Sequence, residues 1–244
     1  TANVRSSSIP LLPRDTAYKV VLLDIEGCTT SIDFVKNELF GYARTHMQTY
    51  CDTHDDVQHL RNGLMEDVQA HGGGNYNNMS VPELSLYLMD RDVKSLSLKQ
   101  LQGDMWKTAF ENNQVKGHVY ADFLPMLQWM KQNNISVSIY SSGSVQAQKL
   151  LFGHSIAGNL VDYMDSHFDI GNAGSKKEAS SYSTIAKTLN VEPRSICFVS
   201  DIVAELDAAR NAGIGGTVLS IRPGNAPVTT TTYPMIHSLL QLCG

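Results

Sequence analysis

Several things this chain lacks narrow what it can be. Its 244 residues hold four cysteines. Cys28, Cys51, Cys197 and Cys243 are far apart and form no Cys-x-x-Cys pair, so neither a zinc spacing nor a disulfide framework is indicated. Cys197 sits inside an apolar run, the setting of a buried thiol, and points to a reducing compartment. No apolar stretch approaches the ~20 residues needed to span a bilayer. There is no basic excess either: Lys and Arg number 19 against 24 Asp and Glu, a net charge of −5. That balance argues against a general nucleic-acid or anionic-membrane surface. A small anionic substrate stays open, because local groups or a metal set the sign of the field inside a pocket. The first thirteen residues are rich in serine and lack a signal-peptide core. Residues 1–16 are expected to form a loose arm on a soluble, cytoplasmic protein, with the nucleus as a second location. Internal repeats are missing, and the only low-complexity tract is a run of threonines at 229–232.

What is present begins with 42% hydrophobic residues, enough to bury a substantial core. Val20-Val21-Leu22-Leu23 is a run of branched apolar residues too short for a helix and suited to a strand buried on both faces. It ends in Asp24-Ile25-Glu26-Gly27, two carboxylates at spacing two followed by glycine. In an open parallel sheet ligands bind beyond the carboxyl ends of the strands, so Asp24 is placed at that lip. A carboxylate there can attack or hold a metal, and its neighbour can donate and accept protons. The plain alternative is an acidic turn after a strand, and only partners elsewhere in the chain give the motif weight.

Residues of about 33–117 carry helical periodicity without strands. Val35, Leu39, Ala43, Met47 and Tyr50 mark one helix, and Val57, Leu60, Leu64 and Val68 a second that ends in the glycine cluster 72–74. Ser80 with Glu83 three residues on signals a helix start, and Leu98, Leu101, Met105 and Phe110 mark a further helix. Beyond residue 118 strand and helix alternate. A helix is expected over 119–132, a strand over 135–140 and a helix over 146–152. A short strand comes next at 166–169, then a loop over 171–177 and a helix to Leu189. A strand at 196–199 and a helix to Ala212 precede 217–219 as the last core strand. This β-then-α order implies a parallel sheet covered on both faces.

Three of these strands end in polar groups: Asp24 with Glu26, Ser141 with Ser142, and Ser200 with Asp201. Lys176-Lys177 lies in the loop between the last two. Singly, each has an ordinary reading as a turn, a helix cap or a solvated lysine pair. Together, one topology brings them to one rim of one sheet, where they suit phosphoryl transfer. A carboxylate attacking a phosphate needs its charge neutralised. Magnesium prefers hard oxygen ligands such as Asp24, Asp201 and a backbone carbonyl, and a lysine supplies a point positive charge.

The layout resembles the haloacid dehalogenase superfamily and, within it, the acireductone-forming enolase-phosphatases of methionine salvage. Asp24-Ile25-Glu26-Gly27, with glutamate where the general superfamily pattern has aspartate, carries the resemblance. So do Tyr140-Ser141-Ser142-Gly143-Ser144-Val145, Gln148-Lys149-Leu150-Leu151-Phe152-Gly153, Leu98-Lys99-Gln100-Leu101-Gln102-Gly103 with Trp106, and Arg222-Pro223-Gly224-Asn225-Ala226. It spans about residues 19–227, with 51–95 divergent. The resemblance implies an α/β, Rossmann-like parallel sheet with helices on both faces, built from 17–32 and 118–244, with 33–117 as an inserted all-helical cap. It implies Asp24 as nucleophile and magnesium ligand, Glu26 as acid/base with its carbonyl on the metal, and Asp201 as the remaining ligand. Ser141 and Ser142 fall on the phosphate contact, Lys176 on the lysine that neutralises it, and Glu205 on the acidic residue one helical turn beyond Asp201. It further implies one Mg2+ per subunit, a monomer, and a small phosphorylated substrate, 2,3-diketo-5-methylthiopentyl 1-phosphate. This is enolised and then dephosphorylated, with no nucleic-acid or membrane partner. The rivals are a catalytically silent phosphometabolite- or protein-binding scaffold of the same fold, a phosphatase for another small metabolite, and a receiver-type signalling domain. One departure stands out: Cys28 occupies a position where the resemblance leads one to expect threonine, and a thiol is a poor hydrogen-bond donor.

Overall fold

In a computed structural model of the protein the described residues are 18–72, 74–228 and 231–243. The arm expected over 1–16, Gly73 of the glycine cluster and the start of the threonine run lie outside them. The elements, in chain order, are β1 (Val20–Leu23), α1 (Phe40–Thr53), α2 (Arg61–His71), α3 (Val81–Asp90), α4 (Leu96–Glu111), α5 (Phe123–Gln132), β2 (Ser136–Tyr140), α6 (Val145–Gly153), β3 (Ser166–Phe168), α7 (Ala179–Thr188), β4 (Ile196–Ser200), α8 (Val203–Asn211), β5 (Gly216–Ser220) and β6 (Met235–Ile236). The chain divides into two compact units, Thr1–Ile32 with Gly117–Gly244, and Asp33–Lys116.

The first unit is an α/β layer structure. Its six strands lie in the order β3-β2-β1-β4-β5-β6, and every pairing is parallel. β1 is central because all four of its side chains are apolar and buried. Val20 and Leu22 face one side with Tyr140, Tyr182, Phe198 and Leu206, so Val21 and Leu23 face the other. Register sets the level at which the strands end. Leu23 stands opposite Ile139 of β2 and Val199 of β4, so the three strands run out together. Asp24, Ser141 and Asp201 therefore leave the sheet at a common edge.

The strand expected over 135–140 is β2, whose Ser138 is fully buried because β2 is interior to the sheet and covered on both faces. Two local expectations shift. The helix expected over 119–132 begins at Phe123. Residues 118–120 are not helical and are tied to the loop after β1: Thr30 Oγ1 donates to the His118 carbonyl at 2.8 Å, and the Tyr120 N–H to the Thr29 carbonyl at 2.9 Å. These tertiary bonds use backbone groups that a helix would need. The sheet also continues past β5 into β6, two residues too few to leave a pattern in the sequence.

The second unit is all-helical among its described residues. Its core is built from Met47 of α1, Leu64 and Val68 of α2, Leu84 and Leu88 of α3, and Leu101 and Met105 of α4. α1 is entered through a π-helical stretch, Phe34–Leu39, and the Trp106 indole N–H donates to the Leu39 carbonyl at 2.8 Å, holding that entry. The Glu83 carboxylate accepts from both the N–H and the hydroxyl of Ser80 at 2.7 Å, the helix start signalled by the Ser-x-x-Glu spacing.

One buried ion pair closes the sheet unit. Asp122, just before α5, accepts from Arg222 Nη2 at 3.0 Å, from Ser238 Oγ at 2.7 Å and from the Leu239 N–H at 2.7 Å. Burial alone raises its carboxyl, but Arg222, Ser238 and the Leu239 N–H outweigh it, and the net position is below the ordinary carboxylate value. A carboxylate lowered in the native state contributes stability above its unfolded value and loses that contribution as pH falls through the native one. Asp122→Asn should thus cost about 3 kcal/mol in urea unfolding near neutral pH, the penalty for leaving a buried Arg unpaired. The gap to wild type should narrow below about pH 4, and a gap independent of pH would refute the ion-pair account.

Candidate active site

The segment after β1 is a tight loop. The Asp24 N–H still donates to Val199 at 3.0 Å, and the N–H groups of Cys28, Thr29 and Thr30 then all converge on the Ile25 carbonyl at 3.2, 3.0 and 2.9 Å. Gly27 makes this turn with φ +70°, and a Cβ there would stand 2.6 Å from Asp201 Oδ2. Glycine is required twice over, by backbone conformation and by space. That is the physical reason a glycine comes after the paired carboxylates: it lets the end of β4 approach the end of β1.

Behind this turn lies an ionic cluster. Lys176 Nζ is 2.6 Å from Asp24 Oδ1 and 2.8 Å from Glu205 Oε2, and all three side chains are about nine-tenths buried. Burial works against the ammonium, but Asp24 and Glu205 outweigh it, and Lys176 is held above its ordinary value and fully charged. Glu205 Oε2 also accepts from Ser200 Oγ at 2.7 Å. Its carboxyl is nevertheless raised, first by burial and then by Asp24. Asp201 is pushed up to about 7, again by burial first and then by the neighbouring Asp24 and Glu205 charges. One ammonium thus faces three carboxylates in a poorly solvated space, and a further cation is what the cluster lacks.

Asp24 is held in one orientation. Its Oδ1 takes both the Lys176 ammonium and the Ile25 N–H at 2.7 Å, which leaves Oδ2 without a hydrogen-bond partner among the described residues. Ligand atoms of Asp24, Asp201 and Cys28 all lie within 4.8 Å of one another. The two carboxylates are hard oxygen donors of the kind magnesium takes. Cys28 is not: its thiol is fully buried and raised well above its ordinary value, by burial first and then by Asp24 and Asp201. It stays protonated, 3.9 Å from the Val199 carbonyl. A neutral, buried thiol of this kind is unreactive.

The lysine-bearing loop is held from below by two tyrosines. Tyr182 donates to the carbonyl of Lys176 itself at 2.7 Å, and Tyr140 to that of Gly174 at 2.8 Å. Both rings stack edge-on with one another in the core. Their hydroxyls explain why Lys176 points inward while Lys177, one residue on, is exposed.

Ser141 is buried at the end of β2, its hydroxyl accepting from the Gly143 N–H at 3.2 Å, and Ser142 is exposed beside it. Two N–H groups of the α6 start already have side-chain acceptors: Val145 donates to Asp169 Oδ2 at 2.9 Å and Ala147 to Ser144 Oγ at 3.2 Å. A phosphate arriving here would meet the two serines more than the helix terminus. Asp24, Lys176, Asp201 and Glu205 are brought together. Glu26 lies on the exposed side of the same loop, its backbone bridged to Thr30.

Sequence reasoning assigned no role to Ser220, Arg222 or Asn225, although the last two stand in a motif it singled out. All three reach the loop after β1. Ser220 Oγ and Asn225 Nδ2 donate to the Gly27 carbonyl at 2.9 and 3.0 Å, and Arg222 Nε to the Cys28 carbonyl at 3.2 Å. Contacts between positions nearly two hundred residues apart carry no local signal.

Comparison with known proteins bears on the same features. Residues 18–213 match the family model of the haloacid dehalogenase-like hydrolases. The chain is 39% identical over 241 residues to an enolase-phosphatase E1 of Drosophila mojavensis, covering 93% of this chain and 96% of that one. To the enolase-phosphatase E1 of Thioalkalivibrio sulfidiphilus it is 42% identical over 207 residues, covering 85% and 91%. Among solved structures the UTR4 protein of Saccharomyces cerevisiae superposes with a TM-score of 0.72 at 36% identity, covering 91% of this chain and 98% of that one. CbbY of Rhodobacter sphaeroides, at 12% identity and a TM-score of 0.60, shares the fold alone.

The two lysines separate cleanly in stability. Lys176→Ala leaves Asp24 and Glu205 facing each other without their cation and should cost about 3–5 kcal/mol, the usual penalty for breaking a buried pair. Lys177→Ala is a surface change and should fall within about 0.5 kcal/mol of wild type. Urea unfolding of both variants in metal-free buffer checks this, and equal costs would contradict the buried triad.

Proposed function

Because the chain belongs to the haloacid dehalogenase-like hydrolases and, within them, to the enolase-phosphatases, we propose that it converts 2,3-diketo-5-methylthiopentyl 1-phosphate to the acireductone and inorganic phosphate. The observation that carries this reading is the buried Lys176 ammonium shared between Asp24 and Glu205, with Asp201 close by. That arrangement orients a carboxylate at the lip of a sheet while leaving the local field short of positive charge, as an incoming phosphate with a metal cation demands.

The residues present fit one magnesium ion per subunit. Asp24 and Asp201 would hold it with the backbone carbonyl of Glu26, and the rise of Asp201 to about 7 reflects crowding that a divalent cation relieves. When bound, magnesium supplies positive charge to the phosphoryl oxygens and a Lewis acid for the carbonyl oxygens of the diketone.

The chain's own groups do the rest. Enolisation precedes phosphate release. Asp24 then attacks phosphorus, the bond from phosphorus to the substrate oxygen breaks, and Glu26 protonates that departing oxygen. Glu26, now a carboxylate, takes a proton from water as the water attacks the aspartyl-phosphate, releasing phosphate and restoring Asp24. Lys176 neutralises charge throughout, Ser141 and Ser142 hold the phosphoryl oxygens, and Glu205 keeps the ammonium in place.

Phosphate release from the diketone, measured with and without magnesium, tests the reading. Wild type should be active only with the metal, and Asp24→Asn should lose about 10³-fold or more in kcat. An Asp24→Asn variant as active as wild type would overturn the nucleophile assignment. Ligand binding without any metal-dependent release would favour the silent scaffold. Cys28→Thr should turn over at an equal or higher rate, since the buried neutral thiol makes only a long contact; a large loss would show that the thiol is needed.

A further inference from the structure

The carboxyl end of β5 holds an acceptor that the proposed reaction does not use. Asn225 Nδ2 donates to two backbone carbonyls, Gly27 at 3.0 Å and Ser220 at 3.1 Å. Both amide hydrogens are thereby used on groups that can only accept, which fixes which end of the amide is nitrogen. The other end, Oδ1, is buried with no hydrogen-bond partner. Where it points is recorded by Gly27: a Cβ on that residue would lie 2.7 Å from Asn225 Oδ1 and 2.6 Å from Asp201 Oδ2. Two oxygens that both accept, one amide and one carboxylate, thus sit side by side against the glycine of the nucleophile loop.

Buried acceptors are rarely left unsatisfied, so Asn225 Oδ1 calls for a donor, and it lies beside a carboxylate that would hold the ion. Magnesium dehydrates reluctantly and keeps several of its waters when bound by one or two carboxylates. Such a water is a strong donor, and Asp201 is one of the two side chains proposed to hold the ion. We propose that Asn225 is a positioning residue of the magnesium site: its amide nitrogen ties the Asp24 loop to β5, and its Oδ1 accepts a hydrogen bond from a water in the ion's hydration shell. The assignment rests on the magnesium-dependent reading above and extends it to a residue outside the strand ends that carry the carboxylates. Ser220 and Arg222, which reach the Gly27 and Cys28 carbonyls, steady the same loop.

Calorimetric titration of MgCl2 into the substrate-free protein tests this without reference to turnover. Asn225→Ala should weaken magnesium binding about 10- to 100-fold, the usual cost of removing a group that orients a metal's ligands. The rise in Tm that saturating magnesium gives wild type should shrink in the same variant. Asn225→Asp loses both N–H donors but keeps an acceptor, and should bind magnesium as tightly as wild type or more so. In phosphate-release assays Asn225→Ala should need correspondingly more magnesium for half-maximal rate, with KM for substrate unchanged once the metal saturates. An Asn225→Ala protein with wild-type magnesium affinity and only a lower metal-free Tm would overturn the proposal, reducing Asn225 to a structural tie. Equal losses in Asn225→Ala and Asn225→Asp would overturn the acceptor role. If Asn225→Ala fails to fold, Asn225→Asp still decides, since weakened binding in that variant contradicts it. Failure of wild type itself to bind magnesium would instead strike at the proposed function and take this inference with it.

Discussion

The charge of Lys176 is the constraint on which the rest of the catalytic edge depends. A lysine buried this deeply is tolerated only when its partners are equally buried, and Asp24 and Glu205 meet that condition from β1 and α8. The ammonium holds three elements together: the loop after β1, the loop before α7 and the first turn of α8. Removing water from the cluster strengthens these attractions and also the repulsion among the carboxylates. The result is a site rigid on one side and electrostatically incomplete on the other. The rise of Asp201 is the visible mark of that incompleteness. A cation and a phosphate arriving together would complete it.

Sheet geometry is the second constraint. Parallel pairing with Leu23 level with Ile139 and Val199 brings chemically distinct residues from distant parts of the chain to one edge. A slip of one residue would turn Asp24 toward the opposite face. Register is secured by apolar side chains packed on both faces of β1, β2 and β4, so the precision of the polar site derives from the hydrophobic core beneath it. Tyr140 and Tyr182 join the two directly. Their rings belong to the core and their hydroxyls hold the loop that carries Lys176.

The loop after β1 is held from a second direction. Ser220, Arg222 and Asn225 take up the carbonyls of Gly27 and Cys28, and Arg222 in turn is anchored by Asp122 and the C-terminal segment. The loop after β1 is therefore fixed through its backbone by the residues of and beyond β5, and through its side chain by Lys176. This double anchoring leaves little freedom to Asp24.

Sequence alone determined what depends on local pattern. The apolar run of β1, the Ser80–Glu83 helix start, the β-then-α alternation and the Asp-x-Glu-Gly turn each reflect interactions within a few residues, and each can be read without coordinates. Gly27 shows the limit of that reading: a turn glycine was evident, but not that Asp201 would crowd it. Tertiary structure decided the rest, because the energies involved connect positions remote in the chain. The start of α5 was set by hydrogen bonds to Thr29 and Thr30, and β6 formed only because β5 offered an edge to pair with. The inward aim of Lys176 rather than Lys177 was settled by two tyrosine hydroxyls, and the orientation of the Asn225 amide by the carbonyls of Ser220 nearby and of Gly27 nearly two hundred residues away. Periodicity records which face of an element is buried; which polar atoms meet across the sheet is fixed only when the layers are packed.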